Sequence, residues 1–158
     1  MSHKEALTLR GFYRLKLGEE KNGKTEIVGD SGWHENQVTN LGFQNYVCAL
    51  IGGLAGSKQV GAVIIGTGGA PATGDTTLAG ELSRYSCGNA TVASKTMRAT
   101  AAIASGDHPG GTPNISNIAL IETTASGGTI MCGNTYASST WNSNQGLSAT
   151  YELRFATA

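Results

Sequence analysis

Leu147, Ala149, Tyr151, Leu153 and Phe155 alternate without a break against Ser148, Thr150, Glu152 and Arg154. A period of two puts every apolar side chain on one face of an extended strand, whereas a helix would scatter them around its circumference. The stretch is therefore read as a half-buried strand. The other end of the chain repeats the pattern, with Leu7, Leu9, Tyr13, Leu15 and Leu17 set against Thr8, Arg10, Arg14 and Lys16, and Gly11 interrupting the series. A charged turn, 19–24, follows it. The Asn22-Gly23 pair in that turn predicts a tight hairpin, with the return strand beginning at Thr25.

Between these ends the strand signals change character. Val60 and Ala62 to Ile65 form a short apolar, β-branched run stopped by Gly66, and Ile115 to Ile121 is apolar on both faces. Runs of this kind predict strands buried on both sides. Residues 85–87 and 91–104 look extended, Gly127-Gly128 turns the chain into 129–137, and 138–146 is a polar loop holding Trp141. The stretch from Thr77 to Arg84 fits a helical turn or irregular backbone equally well.

The glycine-rich segment after Ile65 invites a nucleotide-binding reading, because Gly69 to Thr76 matches a phosphate-cradling loop except that Asp75 stands where the lysine belongs. A carboxylate there repels the triphosphate that the lysine would neutralise. The segment is read instead as a turn-rich connection in which Pro71 and the glycines set the backbone angles.

One helix is expected, from Asn40 to Leu54, since Phe43, Val47, Leu50, Ile51 and Leu54 recur at helical spacing. Asn40 or Thr39 can cap its start, and Gly52-Gly53 ends it. Its apolar stripe is expected to pack in the core against the 60–65 strand. Many short strands, dense turn signals and a single helix predict a mainly β fold, an antiparallel β-sandwich or jelly-roll-like barrel. One domain spans 1–158. Residues 1–6 carry no strand pattern, and Ser2, His3, Lys4 and Glu5 are expected to form a partner-binding arm on a neighbouring molecule.

Chemistry is harder to find. The chain has zero formal net charge and only 14% charged residues, which gives it little electrostatic attraction to nucleic acid or an anionic membrane. It lacks both an apolar run of membrane-spanning length and a signal-peptide core, so it is expected to be soluble and made inside the cell. Cys48, Cys87 and Cys132 are widely spaced and are read as small buried hydrophobes. Asp30, Ser31 and His34 lie close in sequence, but a hydrolytic triad is placed by the fold and not by adjacency. They are read as a turn, with Trp33 capping the edge of the core. Trp33, Tyr136 and Trp141 could form a platform for stacking sugars. Glycoside hydrolysis would draw its carboxylates from Asp30, Glu35, Asp75, Glu81, Asp107, Glu122 and Glu152, none of which sits in a recognisable motif. No catalytic, cofactor-binding or metal residues are expected, and the chain is not expected to be an enzyme.

A longer-range pattern covers residues 25–156. It comprises Val38-Thr-Asn-Leu-Gly-Phe43, the helix ending in Gly52-Gly53, the segment from Ile65 to Leu78, and Glu81-Leu-Ser-Arg84. To these are added Ile115 to Glu122, Gly127 to Met131, and Ala149 to Phe155. This succession resembles a group of structural proteins from tailed-bacteriophage virions. The resemblance implies a non-enzymatic role, foremost as a capsid decoration or cement protein and alternatively as a tail or baseplate component. It also implies a location in the virion. The implied partners are the major capsid protein or another virion protein, and further copies of the chain, a trimer being favoured by the threefold positions of a phage head.

Overall fold

The computed structural model describes residues 7–157, so the arm expected at Ser2, His3, Lys4 and Glu5 lies outside the described residues. Ten strands form one antiparallel sheet: β1 (Leu7–Lys21), β2 (Lys24–Asp30), β3 (His34–Val38), β4 (Ala62–Gly66), β5 (Glu81–Ser86), β6 (Gly88–Ala93), β7 (Thr96–Ile103), β8 (Asn114–Ile121), β9 (Cys132–Thr140) and β10 (Gln145–Thr157). Their order is β5-β4-β8-β9-β3-β1-β10-β7-β6, with β2 paired to β1 beyond the end of β3. The sheet curls until β5 approaches β7, giving a nearly closed, barrel-like fold. The mainly β, antiparallel architecture with one short helix matches the sequence expectation.

The two alternating strands are the longest and lie side by side, Tyr13 opposite Tyr151 and Leu15 opposite Ala149. Their apolar faces fill the barrel interior with Ala99, Ala101, Ile103, Ile118, Leu120 and Trp141. Gly11 breaks the β1 alternation for a steric reason, because a Cβ there would lie 1.8 Å from Asn36 Oδ1 on the facing strand β3. The β1–β2 turn is the tight hairpin expected. Asn22 and Gly23 both take positive φ, 53° and 73°, the geometry that matches the twist of the flanking strands.

Strands β4 and β8 pair with each other and are buried on both faces, as their continuous apolar runs predict. Val63, Ile65, Ile118 and Leu120 face the barrel interior. Ala62, Ile64, Ala119 and Ile121 face outward and are covered by Leu78 and Ile130. Ile130 comes from the β8–β9 connection, and Leu78 from the glycine-rich segment 67–80, which folds back over the outside of the sheet. Asn117 Nδ2 holds it by donating to the carbonyls of Gly69 and Ala79 at 2.8 and 2.9 Å, and Asp75 closes its turn by accepting from Ala72 N–H at 2.8 Å. The segment is thus a lid on a second small core, and strand β5 follows it where a phosphate loop would require a helix.

Several local expectations need correction. The stretch 91–104 is not one strand, since Ser94 and Lys95 turn the chain from β6 into β7. Residues 77–84 are neither helical nor irregular throughout, because Glu81 starts strand β5 along β4. The polar loop expected at 138–146 is mostly strand, since β9 runs to Thr140. Trp141 is fully buried and its Nε1 donates to the Gln145 carbonyl at 2.9 Å. Cys132 is buried as expected, but Cys87 is only partly buried and Cys48 is exposed.

The largest correction concerns the helix. It consists of a π-helical segment, Gly42–Cys48, continuing into α1 (Ala49–Ile51). Thr39 caps it as expected, its hydroxyl accepting from Gly42 N–H at 2.8 Å and donating to the Ile130 carbonyl at 2.6 Å. The buried side, however, is Gly42, Tyr46 and Ala49; of the expected apolar stripe only Val47 packs against the core, and Phe43, Leu50, Ile51 and Leu54 are turned outward. Close approach decides the orientation. A Cβ on Gly42 would lie 2.1 Å from the Met131 carbonyl oxygen, so only a glycine lets the helix backbone settle against the β8–β9 connection. Tyr46 then reaches inward to Glu122 and Thr129.

Candidate interaction surface

Turning Gly42, Tyr46 and Ala49 inward leaves Phe43, Leu50, Ile51 and Leu54 at the surface, with 41%, 47%, 78% and 60% of their area exposed. Beside them runs an open groove of about 340 Å³. Val47, Leu50 and Ile51 form one wall, and Met97, Leu153 and Phe155, from the adjoining ends of β7 and β10, form much of the other. Leu50 and Ile51 line this groove, and with the exposed Phe43 and Leu54 of the same segment they make it a candidate contact surface. Residues 40–57 contain no Asp, Glu, Lys, Arg or His. The helix side of the surface is therefore uncharged, and the groove beside it adds Gln59, Asn89 and one charged residue, Lys58, which is ion-paired with Glu122.

The helix is anchored beneath by a polar network. Tyr46 donates to Glu122 Oε2 at 2.6 Å and also lies against the Thr129 carbonyl. Lys58 is ion-paired with Glu122 Oε1, and Thr129 N–H donates to Glu122 Oε2 at 2.9 Å. Arg84, paired with Glu81, donates to the carbonyls of Ala125 and Gly127. The turn between β8 and β9 is thereby fixed from two sides. Burial alone would raise the Glu122 carboxyl, but the bonds from Lys58, Tyr46 and Thr129 outweigh it and bring the group down to about 2. A carboxyl lowered in the folded state contributes stability that is present above its unfolded value and lost on acidification. We therefore expect part of the stability to fade as pH falls from about 4.5 towards 2. In Glu122→Gln, thermal melts across that window should show a shallower fall, from a lower starting Tm; a slope identical to that of the parent would show that the network is not formed.

The residues singled out from sequence do not assemble into a reactive centre. Asp30 is engaged by Arg14 at 2.5 Å and by Gly32 N–H at 3.0 Å. The Ser31 hydroxyl donates to the Gly32 carbonyl at 2.8 Å, and His34 Nε2 sits 2.6 Å from the Ser31 carbonyl. The histidine thus faces backbone, not the hydroxyl that a triad would require. Trp33 is 43% exposed and does not cap the core. The sugar platform fails as well, because Trp141 is buried under Tyr85 and His108 and the three rings share no surface. Of the candidate carboxylates, Asp30, Glu35, Glu81, Glu122 and Glu152 are each held by an arginine or lysine, and Asp75 is held by its own turn. Among the described residues no group of three or more His, Cys, Asp or Glu is arranged to hold a metal ion. Among them also, no helix is long and apolar enough to cross a membrane.

Sequence reasoning found the helix but ran it to Leu54, beyond its end at Ile51, and it gave Phe43, Leu50, Ile51 and Leu54, though not Val47, the wrong environment. The available signal was a second stripe, Gly42, Tyr46 and Ala49, whose two small residues permit backbone contact. Compared with family models, curated proteins and solved structures, the chain has no match. The fold and surface together define an antiparallel, barrel-like module with an exposed apolar helix face.

Proposed function

We propose that the chain is a non-enzymatic structural protein of a tailed-phage virion, acting as a capsid decoration or cement protein that packs against its neighbours and stabilises the head. The observation that carries this reading is the exposed face of Phe43, Leu50, Ile51 and Leu54, presented on a barrel whose own core is already filled. Such a face has no role within the barrel and is suited to burial against another protein. The likeness of residues 25–156 to tailed-phage structural proteins directs the choice of assembly. A place in the tail or baseplate is the second reading, since that likeness extends equally to those components.

Quantitative mass spectrometry of virus particles purified from a culture that expresses this sequence tests both. Hundreds of copies per particle support the head reading, and a few or tens support the tail reading. Absence from particles would overturn the proposal.

A further inference from the structure

We propose that the uncharged helix face binds a second copy of this chain, forming a symmetric pair through residues 43–54. The inference deepens the assembly reading, on which it rests for treating this face as a contact surface, and names the partner.

Three features favour a second copy over a different protein. The first is charge. In a two-fold contact the same surface is offered by both copies, groups on the axis meeting themselves and the rest meeting each other reciprocally, so a face carrying charge of one sign repels its copy. Residues 40–57 carry none, and the lysine that lines the groove, Lys58, is ion-paired with Glu122. The whole chain has zero formal net charge, so two copies are not held apart at longer range near neutral pH.

The second feature is shape. Ile51 is the most exposed large apolar side chain of the described residues and stands at the rim of the groove walled by Val47, Leu50, Met97, Leu153 and Phe155. Projection and recess belong to the same face. Two copies related by a two-fold axis each offer an isoleucine to the other's groove, the self-complementarity that an isologous contact requires.

The third is area. The exposed fractions of Phe43, Leu50, Ile51 and Leu54 amount to about 400 Å² of apolar surface per copy, within the range of functional patches on single chains. Pairing would bury about 800 Å² from these side chains alone, with the groove walls adding to it, which is the size of a weak, reversible contact. Weak pairing suits a protein used in many copies, because neighbours already held on a common surface meet at high effective concentration.

Sedimentation velocity on the isolated full chain, from low micromolar to near-millimolar concentration, tests the proposal. The weight-average mass should rise with concentration from 16.2 kDa towards twice that value. Ile51→Lys should hold it at the single-chain value at the highest concentration, with an unchanged melt showing that the variant is folded. Val28→Lys, on the exposed β2 strand, should leave the rise intact. Cys48 is exposed on the same helix, so a short bismaleimide should cross-link the parent into pairs, and Cys48→Ser should abolish the cross-link.

A parent that stays at one chain throughout would overturn the proposal, as would a rise that survives in Ile51→Lys. A limiting mass of three chains would overturn the two-fold arrangement. None of these results bears on whether the chain is found in virions, so the pairing and the virion assignment fail separately.

Discussion

Gly42→Ala is expected to destabilise the protein by about 3 kcal/mol, although helix propensity alone would favour alanine over glycine by about 1 kcal/mol. The opposite signs make the substitution informative. The added methyl would sit 2.1 Å from the Met131 carbonyl oxygen and 2.9 Å from its carbonyl carbon, far inside contact distance, and both atoms belong to backbone fixed by pairing. Met131 N–H bonds the Leu120 carbonyl at 2.9 Å, and the Met131 carbonyl accepts from Thr39 N–H at 2.9 Å. The helix must therefore lift away. Lifting it stretches the Thr39 cap and withdraws Tyr46 from Glu122, so the loss extends beyond the clash itself. For a chain of this length a decrease of that size lowers Tm by about 6–12 °C, readable in a single calorimetric scan. An unchanged or raised Tm would mean that the helix does not rest on Met131.

Trp141→Ala is expected to have a comparable or larger effect, about 4 kcal/mol, the usual cost of emptying a large aromatic site in a core. Trp141 is fully buried in the main core cluster, its ring 4.6 Å from His108 and 6.3 Å from Tyr85 in edge-on packing. Its loss also leaves the Gln145 carbonyl without the indole donor and strips packing from the start of β10. His108 would be exposed too, which now bonds the Trp141 carbonyl at 2.9 Å. A fall in Tm of about 8–16 °C is expected, with Trp141→Phe recovering more than half of it. Sugar titration of the parent, followed by tryptophan fluorescence, should give no response from this ring, because no ligand can reach it.

Most of the fold was legible because its main signals are local. Alternation over 7–17 and 147–155 fixed two strands and their inward faces. Asn22-Gly23 fixed a turn, and the apolar runs at 62–65 and 115–121 marked strands covered on both sides. What covered them was not legible. The lid of 67–80 is held by Asn117 reaching across from β8, a contact between residues far apart in sequence that no local pattern encodes. Trp141 misled because its neighbours Asn142, Ser143 and Asn144 are polar, while its ring is packed by Tyr85 of β5 and by His108, both far from it in sequence.

The helix shows the limit most clearly. Periodicity says which residues share a face and is silent on whether that face meets the core or solvent. Two stripes were available, one large and apolar, the other Gly42, Tyr46 and Ala49. The second lies inward because a close backbone contact and a buried hydrogen-bond network outweigh the burial of four aliphatic and aromatic side chains. The candidate surface was invisible from sequence for the same reason. The spacing of its residues alone reads as a core-facing stripe.

The thermal melt of Ile51→Lys tests this most directly. A lysine near a helix C-terminus is electrostatically acceptable, and a substitution at an exposed site changes stability by about 0.5 kcal/mol or less. The outward orientation therefore predicts a soluble, folded variant with Tm within about 2 °C of the parent. An insoluble protein, or a Tm lowered by about 10 °C or more as expected for a charge forced into the core, would contradict it and return the stripe to the interior.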